Sequence, residues 1–137
     1  MRIPTLMAFA CSFVICDAAF AQRAQLSFTG TTSASEMLIR DVMRNVMDLG
    51  DEEFDCPMPE SVVADVLPAQ FQPANPVAAP KGARKQVYER WTIDFCGDTV
   101  PFLLTFWTLE QGGTAFDLDY PFEELTTAME EGGSRLQ

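Results

Sequence analysis

Residues 91–106, WTIDFCGDTVPFLLTF, decide how this chain folds. Apolar residues at alternate positions run up to a Cys-Gly-Asp break and resume beyond it, as in two strands joined by a tight turn. With Gly97-Asp98 as a two-residue loop, Cys96 faces Thr99, Phe95 faces Val100, Ile93 faces Phe102, Trp91 faces Leu104 and Glu89 faces Phe106. The pairs from Phe95–Val100 outward make one nearly apolar face. The other face pairs Asp94 with Pro101, Thr92 with Leu103, Arg90 with Thr105 and Tyr88 with Trp107.

A third strand continues the pattern. A three-residue loop at Gln111-Gly112-Gly113 sets Thr108 against Phe116, Phe106 against Leu118 and Leu104 against Tyr120, which keeps the apolar face intact. A two-residue loop at the glycines would put Phe106 opposite Asp119 and break it. The expected sheet is an antiparallel meander with Trp91, Ile93, Phe95, Phe102, Leu104, Phe106, Phe116 and Leu118 on one side.

Upstream lies the element that covers this side. Leu38, Ile39, Val42, Met43, Val46 and Met47 recur at helical intervals behind Ser33-Ala34-Ser35-Glu36, which has capping-box spacing. Gly50 is the expected stop, so the predicted helix spans 33–49, followed by an acidic connection over 51–55. Residues 22–32 read as an arm or a short edge strand. Residues 60–67 fit either a short strand or a helical turn or two. Residues 68–85 begin with four prolines and few anchors, an extended surface segment that ends in Lys81, Arg84 and Lys85. Phe122, Leu125 and Met129 are spaced for a short C-terminal helix, with 132–137 as a flexible tail. The expected class is α+β: an N-terminal amphipathic helix on a three- to four-stranded antiparallel meander.

The chain starts with the features of an export signal. Arg2 precedes an apolar run over 3–16, and Ala19-Phe20-Ala21 fits a small-x-small cleavage site. Cleavage after Ala21 leaves residues 22–137 as one small domain in a periplasmic or extracellular setting. No other run is long enough to span a membrane. Cys11 and Cys16 leave with the signal, so Cys56 and Cys96 remain and are expected to form a disulfide. In the chain-entropy model, closing that loop stabilises the fold by about 4 kcal/mol.

Composition then narrows the function. The formal net charge is −11, which argues against nucleic acid as a partner. Histidine is absent, which removes the Ser-His and Cys-His nucleophile pairs and the usual zinc ligand sets. No phosphate-binding glycine loop is present. The acids Asp48, Asp51, Glu52, Glu53 and Asp55 lack the order of a calcium loop and read as a solvated turn. Met37, Met43, Met47 and Met58 could offer thioethers to Cu(I), but on an amphipathic helix such residues fill core gaps. No cofactor or metal is expected.

The remaining candidate is the outer sheet face. Trp107, Tyr88, Leu103 and Leu109, bordered by Arg90, Asp117 and Asp119, form an expected partner-binding patch unless a neighbouring segment folds over it. The leading expectation is a non-catalytic, disulfide-stapled exported interaction module, such as an accessory subunit or envelope assembly factor. The second is a carrier of small apolar ligands, with a cup between helix and sheet lined by Trp91, Phe102, Phe106 and Phe116. The third is a hydrolase using Asp117 and Asp119, with Trp107 beside them.

Overall fold

The computed structural model describes residues 25–122, so the expected export signal, C-terminal helix and tail lie wholly or almost wholly outside the described residues. The element order is β1 (Ser27–Gly30), α1 (Glu36–Phe54), β2 (Ser61–Val66), β3 (Ala83–Phe95), β4 (Asp98–Leu109) and β5 (Thr114–Asp119). The strands form one sheet in the order β1-β2-β3-β4-β5. All neighbours are antiparallel except β1 and β2, which run parallel because α1 carries the chain back between them. The class is α+β as expected, but the sheet is mixed and five-stranded.

Both hairpins keep the expected faces and shift the expected pairs. The β3–β4 turn is Cys96-Gly97, with Phe95 opposite Asp98, Ile93 opposite Val100 and Trp91 opposite Phe102. Cys96 (φ 55°) and Gly97 (φ 106°) are both left-handed, as a primed hairpin turn requires. The Asp94 carboxylate accepts the Gly97 N–H at 2.7 Å, which helps hold a cysteine in a conformation costing it about 1–2 kcal/mol. The second loop is Glu110-Gln111-Gly112, closed by the Leu109 N–H to the Gly113 carbonyl at 3.1 Å. Phe106 then faces Phe116, and Leu104 faces Leu118. In each hairpin the partners move by two residues, so no side chain changes face.

The inner face carries the core. Leu38, Val42, Met43 and Val46 of α1 pack with Val62, Ala64, Trp91, Ile93, Phe95, Phe102, Leu104 and Phe106, with Phe116 and Leu118 packed at the margin. Ser35 caps the helix, its hydroxyl accepting the Leu38 N–H at 3.3 Å.

Gly50 does not end the helix. It lies where α1 presses on its own exit: a Cβ there would meet the Cys56 carbonyl oxygen at 2.6 Å and the Phe95 ring at 2.7 Å. The helix runs one turn further, through residues expected to be an acidic connection, and Phe54 stacks on Phe95 at 4.7 Å. Asp55, left-handed at φ 50°, ends it. Three acids near a helix C-terminus oppose its dipole, and the aromatic stack and the disulfide beyond it offset that cost. Cys56 and Cys96 are bridged, their Cα atoms 6.0 Å apart. The bond ties the helix exit to the β3–β4 turn.

Candidate functional site

The outer sheet face is covered at its centre. Six consecutive residues of β4, Phe102–Trp107, are buried, which one-sided packing of a strand would not produce. The proline-containing segment brings Phe71 against Tyr88 (5.4 Å) and against Phe122 (5.9 Å), across the outer side of β4. The Phe122 N–H is fixed to the Pro101 carbonyl at 2.8 Å. Trp107 is 3% exposed and Leu103 5%, so neither presents accessible surface. Tyr88, Arg90, Leu109 and Asp117 are half-buried, and Asp119 is exposed. Arg90 meets Asp65 of β2 at 3.4 Å. The extended segment is shorter than expected, since β3 already begins at Ala83.

The expected pairing of Trp107 with Asp117 is not formed. Trp107 stands opposite Ala115, while Asp117 is opposite Thr105 and Asp119 opposite Leu103. A buried indole cannot stack on a substrate ring. The expected apolar cup is filled: Trp91 and Phe102 are fully buried and Phe106 nearly so, in one cluster with the apolar stripe of α1. Met43 lies in that cluster, whereas Met37 and Met58 are exposed. No group of three or more metal-ligating side chains occurs among the described residues. No helix among them is long and apolar enough to cross a membrane.

Glu89 is the polar residue whose role sequence reasoning missed. It stands on the core face of β3 and is fully buried. Its Oε1 accepts from the Ser33 N–H and hydroxyl, both at 2.6 Å. Its Oε2 accepts from the Thr32 hydroxyl at 2.7 Å and from the Trp91 indole N–H at 2.8 Å. The Thr32 hydroxyl in turn accepts the Ala34 N–H at 3.0 Å. Four internal donors occupy the carboxylate, so it acts as a knot binding the entry of α1 to the sheet rather than as a base facing a substrate. The signal was an acid at a core-facing position of an otherwise apolar alternation.

A second feature is open to solvent. β2 ends at Val66, opposite Glu89, and the Leu67 N–H makes a last bond to the Tyr88 carbonyl at 2.9 Å. Pro68 then turns the chain aside. β3 continues to Ala83, paired with β4 on its other flank. Where β2 would have continued there is a groove of about 450 Å³, lined by Val66, Leu67, Pro68, Ala69 and the Lys85–Tyr88 stretch of β3. Lys85 and Gln86, which line it, are exposed, as is Arg84 just before them in the chain. Arg84 reaches Glu110 at 3.5 Å, with both side chains largely in solvent.

Comparison with protein-family models, curated proteins and solved structures found no match.

Proposed function

We propose that this chain is an exported, non-catalytic interaction module that docks a partner along the free flank of β3. The observation that carries this reading is the vacated β2 lane, an accessible groove of about 450 Å³ beside β3. Exposed strand edges next to apolar grooves are recurrent docking sites, because the backbone supplies affinity and the groove supplies selectivity. Tyr88, from the patch expected on the outer face, is one wall of the groove. The disulfide suits an oxidising compartment, in keeping with the export signal read in residues 1–21.

Affinity capture of the tagged full chain from its native cell envelope tests this reading. A partner recovered in stoichiometric amount, and retained when Asp117→Asn and Asp119→Asn are combined, is the expected result. Recovery of no partner under gentle extraction contradicts it.

A further inference from the structure

Resting on the interaction-module reading, we infer that the vacated lane accepts an extended peptide whose side chains alternate between apolar and acidic, added as a strand beside Arg84–Val87. The backbone supports this. In β3 the Asp94 and Tyr88 carbonyls accept from Glu60 and Leu67 on the β2 side. By the two-residue alternation of a strand, the N–H and carbonyl of Gln86 face that same flank. Among the described residues no strand pairs with it there.

The groove fits alternate side chains. Its wall is built from Val66, Leu67, Pro68 and Ala69 on one side and Lys85–Tyr88 of β3 on the other, where strand alternation sets Gln86 and Tyr88 on one face of the sheet and Lys85 and Val87 on the opposite one. An added strand directs every second side chain to one face of the sheet, so half of the peptide's residues should be apolar.

Charge selects the other half. The chain has a formal net charge of −11, yet Lys85 lines the lane, with Lys81 and Arg84 close to it in the chain. Arg84 is engaged by Glu110, and among the described residues Lys81 and Lys85 have no acidic partner. Lysines on a free edge also repel other basic edges, which discourages indiscriminate pairing and leaves acidic strands as the favoured occupants.

The test is fluorescence anisotropy of the full chain with a labelled short peptide alternating valine and glutamate. Two comparison peptides replace glutamate with lysine or N-methylate the amides that would face β3. Saturable binding of the first peptide is expected, with the other two weaker by at least about tenfold. Lys81→Glu combined with Lys85→Glu should weaken it comparably, and Gln86→Pro should abolish it. Pro is tolerated at an edge position whose N–H faces away from the ladder, and an unchanged melting temperature verifies that the variant is folded. Absence of binding overturns the inference, as does equal binding of the N-methylated peptide. A dimer of the chain that Gln86→Pro dissolves also overturns it, because a second copy would then be the occupant. Envelope capture separates the two levels: a stoichiometric partner held equally by wild type and Gln86→Pro, without peptide binding, ends the lane assignment and keeps the module. Loss of both ends both.

Discussion

Trp91 donates its indole N–H to the carboxylate of Glu89, two residues earlier on the same strand, at 2.8 Å, with both side chains fully buried. Two side chains of one strand face meet in this way because positions i and i+2 point to the same side. The pair joins the sheet to the entry of α1 through Thr32 and Ser33. It also explains how an acid is retained in the core of a small domain.

Glu89→Ala leaves several buried donors without an acceptor and should destabilise the fold by at least about 3 kcal/mol in urea denaturation, since hydrogen bonds to a charged group contribute about 1.5–3 kcal/mol each. Glu89→Gln keeps one acceptor oxygen and should cost less. A loss below about 1 kcal/mol for the alanine variant would mean that the knot does not hold the helix entry.

Gly50→Ala separates helix propensity from packing. In an exposed helix interior the change would stabilise by up to about 1 kcal/mol. Here the added methyl collides with the Cys56 carbonyl and the Phe95 ring, so a destabilisation of about 1–3 kcal/mol is expected. A stabilised variant, measured by thermal melting, would place the helix exit further from the sheet.

Trp107 belongs to the interior. Trp107→Ala should cost about 3–5 kcal/mol, as lost core aromatics do. Its indole N–H has no hydrogen-bond partner among the described residues, so Trp107→Phe should cost much less. Trp91 and Trp107 are the only two tryptophans, and both are buried, so acrylamide should quench the native fluorescence poorly. Strong quenching in the folded protein would show that the outer layer is open.

The disulfide predicts a covalent and an energetic result. Denatured, unreduced protein lacking residues 1–21 should react with no thiol reagent. Cys96→Ser should destabilise by about 2–5 kcal/mol. Two reactive thiols in the first assay would contradict the bridge.

Sheet faces were legible in the sequence and strand pairs were not. Alternation specifies parity strongly, because a one-residue slip would expose Trp91, Ile93 and Phe95. A two-residue slip keeps every face and is decided by turn chemistry. That chemistry placed Cys96 in a left-handed conformation, aided by Asp94, which a preference for Gly-Asp turns does not foresee. Gly50 looked like a helix stop because its role, close approach to Phe95, exists only in the tertiary structure. β1 is four residues long with one apolar anchor, Phe28 against Trp91, too little pattern to reveal its parallel pairing with β2. The groove arises where β2 stops and β3 does not, a difference in strand length that no motif marks.

Hydrogen exchange at the backbone amide of Gln86 tests strand addition in the vacated lane most directly. By strand alternation this amide points into the lane, where no strand pairs with it among the described residues, and it should exchange fast in the free protein. Saturating acidic valine–glutamate peptide should slow it by at least about tenfold, as a new ladder bond requires. Unchanged exchange at Gln86 with the peptide bound would contradict the account.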